Sequence, residues 1–563
     1  MLRKHMLFII VAFILTANFN VANAANDSKF DDMLSKNNYA PNEILIKINP
    51  SASIYTSVSK NEIAGVENII RGKKKERVKT ASDKAVLKRL YISKNADMKQ
   101  VMKKLSNNGD IISIEVNYKI ELLDTYTAGS NTYSNQYYLD RCSIPQAWEV
   151  LEQNGAGRYG SENVTVAMVD TGIDKTHPAL CNSLWTNLGE IAGDGKDNDG
   201  NGYIDDINGY NFGDDNNNIN DIKGHGTKTS GIIAADNVGG MQGIASDVKI
   251  MMLRIFNSAG EAYVADLIEA LEYAADNGAD VINMSLSGLD SLMLREAIDR
   301  ANDTSILVAA AGNGGKPNEE VNGYTAGLTY PAVYESVLGV MSEDYNFGYV
   351  SGFSNWDANP GNSIEYEVIA PGGSIYTTLN GGGYDSASGT SFAAPVVSGI
   401  MALLRSLYPD KSLYSNQDLI NMFLNNCSNR NFRLYSSSQI IQSYKAANAF
   451  KSVTSSSFKA GNIMVYNSGN IETCEILGGN TINIGQFISN PANENINAAL
   501  IAAVYDNNKM EQIKVFNEII AANQNSNLNE EILINEGLKS PRLKVILWDN
   551  LNSLIPLSVY NEQ

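Results

Sequence analysis

The chain holds three histidines in 563 residues, and His5 belongs to a leader-like N-terminal stretch, so an imidazole base must be His177 or His225. His225 sits in Gly224-His225-Gly226-Thr227, where flanking glycines let backbone approach closely at the start of a helix whose apolar side includes Ile232 and Ile233. His177, beside Pro178 in a loop, reads as structural. Asp170 ends the apolar strand 164–169 (VTVAMV), at the sheet edge where open α/β folds place their ligands, although an Asp there also serves as a turn or cap residue. Ser391, in the segment 389–395, joins a glycine-rich loop to a helix and taken alone is an N-cap serine. Asn313 follows the strand 306–310 in Ala311-Gly312-Asn313-Gly314-Gly315 and offers an amide donor on a turn. Together they make an acid, a base, a hydroxyl and a donor on one side of one sheet. A serine hydroxyl becomes a nucleophile when imidazole takes its proton, a carboxylate fixes the imidazole tautomer, and an amide can stabilise the oxyanion that forms.

These groups need a scaffold, and the middle of the chain supplies one. From about 137 to 450, buried strands alternate with amphipathic helices, the pattern of a parallel sheet with helices on its faces. Residues 263–277 put Val264, Leu267, Ile268, Leu271 and Ala275 on one stripe, stop at Gly278 and run into the strand 281–284. A second helix, 391–408, carries Val397, Ile400, Leu404 and Leu407 on one face and ends before Pro409. Upstream, residues 42–47 alternate as a strand, 96–106 space Met98, Val101, Met102 and Leu105 as a helix, and 111–116 form a second strand: a small α+β unit. Its Lys73–Arg77 stretch is a solvated loop or a protease-sensitive site. Residues 125–136 are rich in Thr, Ser, Asn and Gly and read as a linker; from 452 onward, short runs of Val, Ile and Asn between turns indicate a separate β-rich domain.

Charge and leader narrow the function classes. Residues 25–124 carry 18 Lys/Arg against 13 Asp/Glu, and residues 125–563 carry 23 against 49, so the basic unit can dock on the acidic rest. A formal charge of −19 disfavours nucleic acid and anionic lipid as partners. Arg3 and Lys4, the apolar run 6–17 and Ala22-Asn23-Ala24 have the layout of a signal peptide over 1–24, so a secreted, extracellular chain without stable membrane insertion is expected. Cys142, Cys181, Cys427 and Cys474 allow three pairings, and the sequence favours none.

Five ordered segments, VDTGID around Asp170, GHGTKTSG around His225, INMSLSG (282–288), LVAAAGNGG (307–315) and GTSFAAP (389–395), together resemble the subtilisin-like serine proteases, the subtilases. The order Asp170, His225, Ser391 is theirs as well. The resemblance covers about 137–451 and implies an α/β subtilisin-like parallel sheet flanked by helices, hydrolysing polypeptides through Asp170, His225 and Ser391, with Asn313 in the oxyanion hole. It further implies that Ser285, Leu286, Ser287 and Gly288 pair with substrate backbone opposite a strand from Gly260 to Tyr263. Ser287 stands where family sequences often have glycine. The unit 25–124 resembles the subtilase propeptide, an intramolecular inhibitor cut away between Leu122 and Tyr137.

An insertion, Asp197-Asn198-Asp199-Gly200-Asn201-Gly202-Tyr203-Ile204-Asp205, spaces oxygen ligands as a calcium loop does: Asp197, Asp199, Asn201 and Asp205 by side chain, Tyr203 by carbonyl. Asn208 replaces the usual terminal Glu. Residues 452–563, with ALIAAVYD and LKVILW, resemble small β-sandwich modules of secreted bacterial proteins, through which cell-surface association is open. A proteolytically dead relative and an esterase are the rival readings. The complete triad speaks against the first, and the absence of a G-x-S-x-G elbow against the second. Small uncharged residues around Asn313 predict bulky apolar side chains before the cut bond, unless Glu319 or Glu320 reaches the rim.

Overall fold

Residues Thr165–Asp170 are buried at every position, the pattern of a strand covered on both faces, and they form an interior strand of the sheet on which the site is built. The computed structural model describes residues 28–71, 85–123, 136–317, 319–321, 324–358, 366–434, 440–454, 459–460, 464–467, 481–490, 496–506, 509–520, 524–533, 541–548 and 556–561. The signal-like leader, the Lys73–Arg77 stretch, the linker but for Gln136, and Cys474 lie outside them. Two compact units divide the chain: Met1–Pro145, Tyr159–Ser406 and Cys427–Ala449 in one, Gln146–Arg158, Leu407–Asn426 and Phe450–Gln563 in the other.

The first unit opens with β1 (Tyr39–Ile48), β2 (Ile63–Asn68), β3 (Val86–Ile92), α1 (Met98–Ser106) and β4 (Ile111–Leu122). Asp97 caps α1 by accepting the Gln100 N–H, and the helix buries Val101, Met102 and Leu105. The strands pair antiparallel in the order β4-β1-β3-β2. β4 is twelve residues long, about twice the strand expected, and its extra length has a use described below.

The sheet that follows takes β5 (Thr165–Asp170), β6 (Gly209–Asn211), β7 (Lys249–Arg254), β9 (Val281–Met284), β11 (Ile306–Ala310), β12 (Leu338–Glu343), β13 (Tyr349–Val350), β14 (Val368–Pro371), β17 (Ser428–Leu434) and β18 (Ile440–Ala446). Their order is β13-β17-β18-β14-β12-β11-β9-β5-β7-β6. The sheet is mixed, which corrects the all-parallel expectation. The pairs from β14 to β6 run parallel, while β17 meets β18 and β12 meets β13 antiparallel. At the antiparallel edge β17 and β18 follow one another with five residues between them, whereas parallel neighbours need a crossover. The helices α2 (His225–Ala234), α3 (Val264–Asp276), α4 (Leu292–Asn302) and α5 (Thr390–Leu407) supply crossovers, and short strands β8 (Ala262–Tyr263) and β10 (Leu286–Ser287) stand beside the site. Among the described residues α5 alone is long and apolar enough to cross a membrane; 94% of its apolar window is buried inside the protein, as in a core helix. Cys142, Cys181 and Cys427 are free thiols.

In the second unit the expected β-sandwich gives way to a barrel. Strands β19 (Lys459–Ala460), β20 (Met464–Asn467), β21 (Thr481–Asn490) and β24 (Gln524–Leu533) form one antiparallel sheet; β22 (Ile496–Asp506), β23 (Lys509–Ile520), β25 (Pro541–Trp548) and β26 (Pro556–Asn561) form another. Strand β23 adjoins β24, where Gln512 Nε2 donates to Leu533 O, and β26 adjoins β19, so the two sheets close into a ring. Strands of ten to twelve residues are long enough to curl, and closure removes the unpaired edges that two open sheets would leave.

Candidate active site

Asp170 leaves β5 at the C-terminal edge of the sheet and is 1% exposed. Its Oδ1 accepts from Thr171 N–H and from His225 Nδ1, both at 2.7 Å. His225 is the first residue of α2, and Gly224 before it takes φ +78°, where a side chain would be strained. A Cβ on Gly226 would fall 2.1 Å from Gly172 O, so glycine is what lets the helix start this close to Asp170. Asp221 caps the helix in place of Gly224: its carboxylate accepts from Gly224 N, Thr227 N, Thr227 Oγ1, Lys223 N and Thr171 Oγ1. Carrying Nδ1–H to Asp170 leaves Nε2 as the basic nitrogen, and Nε2 is buried with no hydrogen-bond partner among the described residues. His177 is buried elsewhere, with Nε2 on Gly383 O and Nδ1 accepting from Ala179 N–H, which ties a loop to the hairpin β15 (Ile375–Leu379) and β16 (Gly383–Ala387).

Ser391 is the second residue of α5 and is fully buried. Its Oγ donates not to His225 but to Leu123 O, 3.1 Å away. Asn313 is oriented by Thr390, whose N–H and Oγ1–H both donate to Asn313 Oδ1 at 2.9 and 2.8 Å. This turns the amide NH2 to the other side, towards Gly389, where a Cβ would come 3.2 Å from Nδ2. Asn355 braces the same turn, accepting from Gly314 and Lys316 N–H and donating to Ala311 O.

The reach of β4 explains Leu123. Lys119 and Ile120 pair antiparallel with Tyr263 and Ala262, and Glu121 and Leu122 with Ser287 and Leu286, so an extended segment lies between two edge strands and delivers Leu123 to Ser391. This is β-augmentation: main-chain hydrogen bonds hold the segment while side chains enter pockets. Ile120 packs where a Cβ on Gly288 would lie 2.8 Å from its Cδ1. Leu123 lines a cavity of about 560 Å³ together with Glu121 and Leu122 of its own segment and with Ser287, Gly312, Asn313, Gly314, Thr329, Phe353, Asn355 and Ser388; Glu121 is the one ionisable group in that lining and lies on the inserted segment itself. Two further residues of the expected substrate-binding set lie beside these strands. Gly260 lies in a turn outside the strand, with φ +78° and its carbonyl on Lys223 Nζ, and Ser285 turns inward to donate to Ser391 O. Glu319 and Glu320 belong to a hairpin strand, Glu319–Val321.

Charge holds the N-terminal unit on α3 and α4. Glu115 accepts from Ser291 Oγ and Leu292 N–H at the start of α4, and Asn117 Oδ1 accepts from Ala265 N–H at the start of α3. A partly buried carboxylate at a helix N-terminus contributes up to ~2 kcal/mol. Arg89 meets Asp266 at 2.7 Å, Lys47 meets Glu296 at 2.7 Å, and Arg71 reaches Glu269 at 2.9 Å. Burial raises the Glu269 and Asp266 carboxyls, to about 8 and about 6, and the facing arginines oppose that rise.

A family described as the subtilase family matches residues 161–434. The thermophilic serine proteinase of Bacillus sp. (strain AK1) is 34% identical over 331 residues, 57% of this chain and 70% of its own. Subtilisin DY of Bacillus licheniformis is 37% identical over 257 residues, 45% and 81%. Thermitase of Thermoactinomyces vulgaris is 34% identical over 279 residues, 48% and 83%. The chain belongs to the subtilase family. It is therefore a serine peptidase, and the Asp170–His225 pair lies in the part of the subtilase that the family match covers. Leu123, Asp221 and Thr229 escaped the sequence reading; the Thr-rich run GHGTKTS and the Asp four residues before His225 were the signals available for the last two.

The acidic insertion of this subtilase folds differently from a loop that binds by spacing alone. Asp197 accepts from the N–H groups of Gly200, Asn201 and Gly202, Asp205 from those of Gly193 and Gly195, and Asn201 Oδ1 from Tyr203 N–H. Asp197, Asn201 and Asp205, of the expected set Asp197, Asp199, Asn201, Tyr203 and Asp205, thus also brace the turn through backbone N–H groups. Asp199 instead gathers with Glu190 and Asp206, with ligand oxygens within 4.8 Å of one another. Asn187 and Asn201 amides donate to Asp199 and Asp206 and aim both carboxylates. Burial raises the Asp206 carboxyl, against hydrogen bonds from Tyr273, Asn201 and Asn187. A donor set of oxygens alone, without His or Cys, fits a hard divalent cation.

Proposed function

We propose that this subtilase is made as a secreted zymogen whose Ser391 cuts its own chain between Leu123 and Asp124. The observation that carries the reading is the Ser391 hydroxyl on Leu123 O with residues 119–122 paired on both sides. In the reaction the hydroxyl leaves that oxygen for His225 Nε2, which takes its proton as Oγ bonds to the Leu123 carbonyl carbon. Asp170 keeps the proton of Nδ1 in place and stabilises the imidazolium. The oxyanion accepts from the Asn313 amide and the Ser391 N–H until the C–N bond breaks, the proton passing from His225 to the Asp124 amine. Water then attacks the acyl-enzyme by the same route in reverse. The freed segment 25–123 keeps its strand pairs and ion pairs and so blocks the cleft until it dissociates. Other polypeptides then enter the same groove. Secretion rests on the leader-like residues 1–24, and the barrel is the part available for attachment at a cell surface.

The test is a set of fluorogenic peptides ending in the sequence of residues 120–123, Ile-Glu-Leu-Leu, with the last position varied. The wall that faces Leu123 from outside its own segment is uncharged and favours leucine over lysine or arginine there; one extra favourable apolar group changes kcat/KM by about 10- to 200-fold. Strict cleavage after basic residues would reject the reading.

Calcium belongs to the same proposal, held by Glu190, Asp199 and Asp206 as a structural ion that offsets their mutual repulsion. A cation that binds the folded chain alone raises stability by about 2.7 kcal/mol at a hundredfold excess over its dissociation constant. Asp199→Asn with Asp206→Asn should abolish the calcium-dependent gain in melting temperature. A double variant that keeps the full calcium response places the ion elsewhere.

A further inference from the structure

The two oxygens of Asp170 have different partners. Oδ1 serves His225 and Thr171 N–H; Oδ2 receives the Thr229 hydroxyl at 3.0 Å, its hydrogen-bond partner among the described residues. Thr229 is itself fully buried and stands one turn beyond His225 on α2, so one helix carries both the imidazole and the group that grips its carboxylate. A mid-helix threonine commonly bonds a carbonyl one turn back, and His225 O and Gly226 O do lie 3.3 and 3.1 Å from Thr229 Oγ1. An ionised carboxylate is the stronger acceptor, and a buried oxygen left with no other donor makes the claim on that proton stronger still.

We propose that Thr229 is a positioning residue for the reaction: its hydroxyl locks the Asp170 carboxylate so that Oδ1 faces His225 Nδ1 through the proton transfers. The proposal rests on Asp170 and His225 acting as acid and base. With the hydroxyl gone, the carboxylate is free to turn about its Cβ–Cγ bond, and its unshared negative charge falls more heavily on Oδ1. The first effect lowers the fraction of productive encounters; the second holds the imidazolium more tightly and delays its loss of a proton as pH rises.

Thr229→Val keeps the side-chain shape and removes the hydroxyl, whereas Thr229→Ser keeps the hydroxyl. Both are made in the full chain and assayed after processing on one peptide substrate. Thr229→Val should lower kcat about tenfold or more with KM unchanged, and move the acid limb of kcat against pH to higher pH. A partly misfolded preparation lowers the height of that profile and cannot move its limb. Thr229→Ser should restore the parent limb. A Val variant with the parent profile, or a Ser variant displaced as far as Val, overturns the proposal. Asp170→Asn in parallel separates the two levels: if it retains activity, the acid–base reading itself falls, and if it loses activity while Thr229→Val is unshifted, the role of Thr229 alone falls.

Discussion

Ser391→Ala leaves the chain uncut and lowers peptide hydrolysis by about a millionfold, the scale on which a Ser-His-Asp site loses turnover with its nucleophile. The alanine keeps the start of α5 intact, because Ser391 accepts Ser285 Oγ–H through its backbone carbonyl and not through its hydroxyl. Folding is therefore expected to persist, and the N-terminal unit should stay seated through Glu115, Arg89 and Lys47. The variant should also fail to react with serine-directed phosphonates. Undiminished hydrolysis by this protein would remove Ser391 from the chemistry.

Asn313→Ala lowers kcat by about 100- to 1,000-fold, corresponding to ~2.7 to 4 kcal/mol of transition-state stabilisation, with little change in KM. The amide donor is worth most when charge develops on the carbonyl oxygen, and little while that oxygen is neutral. Asn313 also accepts from Thr390 N–H and Oγ1–H, so the alanine loosens the Gly389–Ser391 turn and should lower the melting temperature. Steady-state kinetics well below that temperature isolate the catalytic part. A large rise in KM with unchanged kcat would assign Asn313 to ground-state binding instead.

The sequence made the catalytic core legible wherever a single segment carried the signal. The strand Thr165–Asp170 and the helix Val264–Asp276 read correctly because burial on both faces and a helical stripe are local patterns. What stayed hidden depends on partners distant in the chain. Residues 119–122 continue a polar–apolar alternation, but nothing local shows what they pair with, since their pairing edges come from Ala262–Tyr263 and Leu286–Ser287. Spacing within 197–205 could not reveal that Glu190 and Asp206 close on Asp199, or that Asp197 and Asp205 accept from backbone N–H groups. The barrel differs from a sandwich in how its edges meet, and alternation along one strand carries no record of that.

The most direct measurement is the intact mass and N-terminal sequence of the purified protein, beside its Ser391→Ala counterpart. The parent should yield two polypeptides, one ending at Leu123 and one beginning at Asp124, and the variant a single chain with that bond unbroken. Cleavage at the same bond in the variant, or a parent cut at some other bond while Leu123–Asp124 stays whole, would contradict attack by Ser391 on the carbonyl it touches.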